Sequence, residues 1–174
     1  LRVRGTGDAR APFFTYEDEK RLLNELSKMS NKNHLRLTKL ALVTGFRRSE
    51  LLSLTWRNID LSKEKIYVQR KECAAKGRSS SMIFVPLPQK AKDLLRSFKN
   101  KEGKIINLTE GSARNGFERA RKKAGLETLR FHDLRHIAIS RMWDSGMNAL
   151  EISACSGHRD IKMLMRYSHF QLSI

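Results

Sequence analysis

The stretch FHDLRHIAISRMW, residues 131–143, places two histidines and an arginine at the start of a predicted helix. His132 and Arg135 are three positions apart, so their side chains lie on one face if the segment is helical. The helix is expected to span residues 132–145 and to end at Gly146, because glycine is favoured just beyond a helix C-terminus. The pattern therefore predicts an imidazole and a guanidinium that converge on one site.

Two short stretches after this helix add a histidine and a tyrosine. SGH occupies residues 156–158 and MLMRYSH occupies residues 163–169, which puts Tyr167 nine positions after His158. A free phenol has a pKa of about 10, so Tyr167 needs a base or a cationic field to act as a nucleophile near neutral pH. A tyrosine among basic groups has the components needed to attack a phosphodiester.

An arginine pair stands much earlier in the chain, in the stretch TGFRRSELLSL at residues 44–54. Arginine stays charged and presents a planar fork that matches two phosphate oxygens at once. Glu50 lies close enough along a helix to hold a guanidinium in place. Taken alone, however, such a pair is typical of a solvated basic surface.

The remaining pattern predicts a mainly helical chain with a small antiparallel sheet. Thr15 and Asp18 have the spacing of a capping box at the start of the first helix. The segments IYVQR at residues 66–70 and MIFVPL at residues 82–87 predict a β-hairpin with a long polar loop. A second helix is expected to end near residue 45, and a third helix to begin near residue 49. Further helices are expected at about 89–98 and 110–124, from residue 148 onward, and near 160–167.

The charge balance favours a polyanionic partner. The 174 residues include 35 Lys and Arg against 18 Asp and Glu, a formal net charge of +17, and neutralising phosphates releases counterions. Hydrophobic residues make up 40% of the chain, enough for one core. The sequence has no long apolar run and no signal peptide, and Cys73 and Cys155 match no metal-ligand spacing. A cytoplasmic protein with reduced thiols is therefore expected.

His136 introduces a rival interpretation, because it stands four positions after His132. Two histidines at this spacing on a helix can bind zinc, but they need a third ligand. Neither a nearby carboxylate nor a cysteine pattern supplies one, so no metal site is predicted. His136 is instead expected to pack or to hydrogen-bond beneath the site.

The order and spacing of these residues resemble the catalytic domain of the tyrosine recombinase (phage integrase) family over roughly residues 15–169. Arg47 matches the family's arginine directly after a Thr-Gly-aliphatic or Thr-Gly-aromatic triplet, and Glu50 matches the glutamate that follows it. Arg48 is then the spare arginine, with a backbone contact or a solvent-facing position expected. The resemblance implies a helical domain with a small antiparallel sheet on one side.

The resemblance also implies a role for each remaining residue. Tyr167 would be the nucleophile that forms a 3′-phosphotyrosyl bond. Arg47, Arg135 and His158 would stabilise the negatively charged transition state. His132 would assist proton transfer or orient the phosphate.

The family's general acid is a lysine in the hairpin loop that protonates the leaving 5′ oxygen. Lys76, just before Gly77, matches this position best, and a lysine suits the role because its pKa falls readily in a cationic, partly desolvated site. The run from Lys76 to the following VPL triplet is longer than the family usually has, and Lys71 is also within reach. Both lysines therefore stay candidates.

The resemblance implies a site-specific recombinase or integrase that cleaves and rejoins double-stranded DNA. Integration, excision and inversion are all compatible outcomes, and a homotetramer would hold the two recombination sites of a mobile element. Because bond energy is conserved in the phosphotyrosine, no cofactor is required. The alternatives are DNA relaxation of the type IB topoisomerase kind, a catalytically dead DNA-binding module, and a basic helical protein with accidental motifs.

The domain organisation expected from the sequence is one catalytic domain preceded by an arm. Residues 1–12 are basic, contain glycine and lack periodicity, which is typical of a linker. The chain starts with Leu1 rather than Met, which indicates a fragment or a processed form. Members of the family usually carry a separate N-terminal domain that grips DNA, so the resemblance implies that this arm comes from such a domain, missing here. Residues 13–174 would form the catalytic domain, of bacterial, phage or plasmid origin.

Overall fold

The computed structural model describes residues 14–71, 80–99 and 101–157, together with Leu164. Within these ranges the chain forms seven α-helices, one short 3-10 helix (Trp56–Asn58) and three strands. The helices are α1 (Tyr16–Ser27), α2 (Asn33–Thr44), α3 (Arg48–Ser53), α4 (Gln89–Arg96), α5 (Glu110–Lys123), α6 (Asp133–Asp144) and α7 (Ala149–Ser156). The strands are β1 (Ile59–Asp60), β2 (Lys65–Lys71) and β3 (Ser80–Pro86). The predicted class, mainly helical with a small antiparallel sheet, is confirmed.

The first helix begins where its capping residues predict. The backbone N–H of Asp18 donates to the Thr15 hydroxyl at 3.1 Å, and the Thr15 N–H donates to the Asp18 carboxylate at 2.8 Å. These two bonds satisfy backbone donors that have no partner inside the helix. The predicted capping box is therefore present.

Helix α2 lies at the centre of the helical layer, where it packs against α1, α3, α4, α5 and α6. Its buried face includes Leu37, Leu40 and Ala41. The helix ends at Gly45, which adopts the left-handed conformation with φ of +65° that glycine tolerates without strain. Because α2 packs against α6, the end of α2 and the start of α6 meet on one side of the domain.

The sheet has the order β1-β2-β3 and is antiparallel throughout. Alternate residues such as Ile66, Val68 and Val85 are buried on its inner face, so the predicted hairpin is confirmed. Strand β1 is an addition that the sequence did not predict, since two residues are too few to show alternation. The hairpin loop at residues 72–79 lies outside the described residues.

Several helix boundaries differ from expectation by one or two residues. Helix α3 begins at Arg48 rather than Ser49, α4 ends at Arg96, and α6 begins at Asp133 with His132 as its N-cap. Of the helix expected near 160–167, only Leu164 is described, and it is buried.

Three smaller expectations concern the cysteines, the N-terminal arm and membrane-spanning segments. Cys155 is a buried thiol whose Sγ lies 3.9 Å from the carbonyl oxygen of Pro86, whereas Cys73 falls outside the described residues. The arm at residues 1–12 falls outside them as well. Within the described ranges, every helix is too short or too polar to cross a membrane.

Candidate active site

Arg47 lies in the turn that joins α2 to α3, which we call the α2–α3 turn (residues 44–47). Its backbone N–H donates to Oε2 of Glu50 at 2.9 Å, and its guanidinium donates to Oε1 of the same carboxylate at 2.8 Å. Glu50 is only 5% exposed, whereas the Arg47 side chain is 49% exposed. The buried carboxylate therefore holds Arg47 from the interior of the domain, while about half of the Arg47 side chain stays in solvent. The predicted pairing of Arg47 with Glu50 is present.

Arg135 reaches the same turn from α6. Its guanidinium donates to the carbonyl oxygen of Gly45 at 2.6 Å, although the two residues are 90 positions apart. Arg135 is 4% exposed, and a buried cation is tolerated when carbonyl oxygens or anions face it. The C-terminal end of α2 carries partial negative charge, which suits this contact.

His132 lies beside both arginines at the start of α6. Its pKa is lowered from the ordinary 6.5, first by partial burial of the ring and then by the charges of His136, Arg135 and, more weakly, Arg47. The Asp133 carboxylate opposes this shift without cancelling it. The neutral imidazole is therefore the dominant form near pH 7, and it can accept a proton.

His136 packs against His132 with its ring edge to face. The ring centroids are 5.1 Å apart and the planes are inclined by 82°. The contact places His136 directly against His132, and its supporting role stays a prediction. In the part of the chain that the structure describes, no group of three or more His, Cys, Asp or Glu side chains could hold a metal ion.

Arg48 has a partner that sequence reasoning did not identify. Its Nε donates to the Glu110 carboxylate at 2.7 Å, and its guanidinium lies 5.9 Å from the centre of the Phe131 ring. The pair joins α3 to the start of α5 across 62 positions of sequence. Arg48 is therefore a structural link between two helices, and the spacing in the sequence gave no signal of it.

The structure thus brings five predicted residues to one place: Arg47, Glu50, His132, Arg135 and His136. Three others, Lys76, His158 and Tyr167, lie outside the described residues, so their assignments stay predictions. Sequence reasoning missed the Gly45 carbonyl as the acceptor for Arg135. The only available signal was the Thr-Gly pair before Arg47, which indicated a helix end but not its contact with α6.

The chemistry open to this arrangement follows from its charges. Two guanidinium groups are fixed around a neutral imidazole, and the carboxylate between α3 and the turn lies on the buried side. Fixed cations of this kind stabilise negative charge that develops on phosphoryl oxygens. The imidazole beside them can take up a proton from an attacking hydroxyl.

Comparison with known proteins indicates the family of the chain. The profile of the phage integrase family matches residues 12–173. A shufflon-specific DNA recombinase of Escherichia coli is 37% identical over 134 residues, covering 76% of this chain and 33% of that protein. The integrase of Salmonella phage P22 is 26% identical over 187 residues, covering 97% of this chain and 46% of that protein.

A solved structure agrees as well. The catalytic domain of bacteriophage HP1 integrase superposes with a TM-score of 0.67 at 30% identity, covering 90% of this chain and 87% of that one. The chain therefore belongs to the phage integrase family. It spans less than half the length of the two curated relatives.

Proposed function

We propose that the chain is the catalytic part of a site-specific DNA recombinase that cleaves and rejoins DNA through a covalent phosphotyrosine. The observation that carries the proposal is the convergence of Arg47 and Arg135 on the α2–α3 turn beside a neutral His132. Cations at fixed positions replace the metal ions that many phosphoryl-transfer sites use. Membership of the phage integrase family supports the same reaction.

The proposed cleavage step begins with Tyr167. Its phenolic oxygen attacks the scissile phosphorus, the bond from phosphorus to the 5′ oxygen breaks, and a 3′-phosphotyrosyl bond forms. His132 takes the phenolic proton. Because its pKa is lowered, the ring is neutral at the start of the reaction and can accept that proton. Arg47, Arg135 and His158 bind the non-bridging oxygens as their charge increases.

The leaving 5′ oxygen needs a proton, and a lysine of the hairpin is proposed to supply it. Lys76 is the first candidate and Lys71 the second. The two can be separated with a phosphorothiolate substrate, in which sulfur replaces the 5′ oxygen and leaves without protonation. Cleavage of that substrate should rescue Lys76→Ala, whereas rescue of Lys71→Ala instead would move the role to Lys71.

Rejoining reverses these bonds with a different strand. The 5′ hydroxyl of a partner strand attacks the phosphotyrosine, releases Tyr167 and restores a phosphodiester. No external energy source is required, since one ester replaces another at each step. We propose double-stranded recombination sites as the substrate and a homotetramer as the assembly that exchanges them. The net charge of +17 supports binding to DNA.

DNA relaxation of the type IB topoisomerase kind is the rival that shares this chemistry. The integrases and recombinases among the relatives favour strand exchange between two sites. A plasmid that carries two sites separates the two activities. Exchange gives integrated, excised or inverted products, whereas relaxation changes only the linking number.

The proposed site is tested with a duplex that is nicked next to the cleavage position. Cleavage then releases a short fragment that carries the 5′ hydroxyl, so rejoining is prevented and the covalent adduct is trapped. Since the target sequence is unknown, a pool of random sequences around the nick is offered first. The trapped DNA is then sequenced and resynthesised as one defined duplex, the suicide substrate. Absence of any adduct from the pool contradicts the proposal.

Three arginine variants then test the site itself. Arg47→Ala and Arg135→Ala should each slow adduct formation by about 100-fold or more, the loss typical of removing one transition-state donor. Arg48→Ala is the matched control, because its side chain binds Glu110 instead of the α2–α3 turn. Adduct formation by Arg48→Ala should be close to that of the unchanged chain. Equal losses in Arg47→Ala and Arg48→Ala would contradict the proposed site.

A further inference from the structure

Thr44 is the last residue of α2 and makes two hydrogen bonds within the domain interior. It is 2% exposed. Its hydroxyl donates to the carbonyl oxygen of Leu40 at 2.7 Å and accepts the backbone N–H of Phe46 at 3.2 Å. Oγ1 therefore ties the last turn of α2 to the residue that precedes Arg47.

The second of these bonds acts on the peptide group that holds Arg135. The N–H of Phe46 and the carbonyl of Gly45 belong to one planar peptide unit, and in a trans peptide they point in opposite directions. When the N–H points to Thr44, the carbonyl oxygen must point away from it, and there it accepts the guanidinium of Arg135 at 2.6 Å. The Thr44 hydroxyl thus sets the direction of the oxygen that fixes Arg135.

This constraint matters because the neighbouring backbone is permissive. Gly45 has φ of +65° and carries no side chain that would restrict rotation of the following peptide. A Cβ at Gly45 would lie 3.5 Å from the Cβ of Ala138, so α6 approaches the turn closely there. If the Gly45–Phe46 peptide rotated, the Gly45 carbonyl oxygen would move away from Arg135. Arg47, which follows Phe46 in the chain, would move as well.

We infer that Thr44 is a positioning residue for the reaction, acting on Arg135 through the Gly45–Phe46 peptide. The inference rests on the proposed role of Arg135 in stabilising the phosphate. Thr44 touches neither the phosphate nor the nucleophile in this account. Its effect on the rate therefore depends on how much negative charge the transition state develops, since Arg135 stabilises that charge.

That dependence gives a readout that a purely structural role would not change. A methylphosphonate at the scissile position replaces one charged non-bridging oxygen with a methyl group, so the transition state develops less negative charge. A residue that acts by placing a guanidinium should matter much less on this substrate. A residue that only stabilises the fold should matter equally on both.

The experiment measures single-turnover adduct formation at saturating DNA, on the suicide substrate and on its methylphosphonate form. Thr44→Val keeps the shape and removes the hydroxyl, whereas Thr44→Ser keeps the hydroxyl. We expect Thr44→Val to lose about tenfold on the phosphodiester, which corresponds to about 1.4 kcal/mol. The loss should largely vanish on the methylphosphonate, and Thr44→Ser should restore the phosphodiester rate.

Thr38→Val is the matched control. Thr38 is another threonine of α2, it is 1% exposed, and it lies six residues before the turn. Its substitution removes a buried hydroxyl from the same helix without touching the Gly45–Phe46 peptide. We expect Thr38→Val to change the rate of adduct formation by the same factor on both substrates.

Three results overturn the inference: an equal loss on both substrates, a Thr44→Ser variant as slow as Thr44→Val, or a Thr44→Val variant as fast as the unchanged chain. Should Thr44→Val and Thr44→Ala both fail to fold by circular dichroism, the residue is structural and the inference also fails. Arg135→Ala, measured in parallel, separates this failure from that of the proposed function. If Arg135→Ala shows no preference for the methylphosphonate, the proposed role of Arg135 is wrong.

Discussion

Replacing Glu50 with glutamine perturbs the α2–α3 turn with little change in shape. The carboxylate is buried, and Arg47 donates two hydrogen bonds to it: one from its backbone and one from its guanidinium. An amide has a single acceptor oxygen, so Glu50→Gln can keep only one of the two bonds. Its NH₂ group then faces the backbone N–H or the guanidinium of Arg47. Since both are donors, no hydrogen bond can form there.

The magnitude follows from these two contacts. A lost side-chain acceptor at a helix N-terminus costs about 0.5–2 kcal/mol. The ion pair itself contributes only about 0.2–1 kcal/mol, because the Arg47 side chain is half exposed and solvent screens it. We therefore expect Glu50→Gln to lower the free energy of unfolding by about 1–3 kcal/mol. For a chain of this size that corresponds to a melting temperature lower by roughly 3–10 °C.

The assay is urea unfolding followed by circular dichroism, with Glu110→Gln as the control. Glu110 also pairs with an arginine of α3, but it is 53% exposed, so its loss should cost less than about 1 kcal/mol. Adduct formation should fall in Glu50→Gln under conditions where the variant is fully folded, and should stay unchanged in Glu110→Gln. Equal destabilisation by the two substitutions would refute the reasoning, since burial of Glu50 is what separates them.

Three further outcomes are expected. Gly116→Ala should destabilise the domain by about 1–3 kcal/mol through overpacking, because its Cβ would lie 2.2 Å from Nδ1 of buried His34. Gly111→Ala in the same helix meets nothing within 4 Å and should stabilise instead, as urea unfolding will show. Since the pKa values of His34 and His132 are both lowered from 6.5, the free energy of unfolding should fall as the pH is lowered below about 6.5. Adduct formation should fall at lower pH, where His132 becomes protonated in the folded chain, because its pKa there is lowered from 6.5, and His132→Gln should abolish that pH dependence. Excess EDTA should leave adduct formation unchanged, and recovery by added zinc or magnesium after a loss would contradict a metal-free site.

The fold was accessible to sequence reasoning wherever a local pattern carried the information. The capping residues Thr15 and Asp18, the glycine at the end of α2 and the alternation in β2 and β3 all act within a few residues. Strand β1 was missed because its pairing with β2 depends on a partner strand and not on its own composition.

The site was predicted in part for the same reason. The pairing of Arg47 with Glu50 is local and followed from their spacing. The contact of Arg135 with the Gly45 carbonyl and the pair formed by Arg48 and Glu110 join positions far apart in sequence. Such contacts depend on how α2, α3, α5 and α6 pack, which periodicity alone does not determine.

We propose that Tyr167 becomes covalently linked to the 3′ phosphate of cleaved DNA. The chain contains three tyrosines, so the assignment has only two competitors. Tyr16 is exposed in the first turn of α1, and Tyr67 lies on the outer face of β2.

The direct measurement is peptide mapping by mass spectrometry of the adduct trapped on the suicide substrate. We expect the nucleotide remnant on the peptide that contains Tyr167. We also expect Tyr167→Phe to bind DNA normally and to form no adduct, while Tyr16→Phe and Tyr67→Phe form it at the normal rate. A 3′-linked remnant on either of the other tyrosines, or an adduct from Tyr167→Phe, would show that Tyr167 is not the nucleophile.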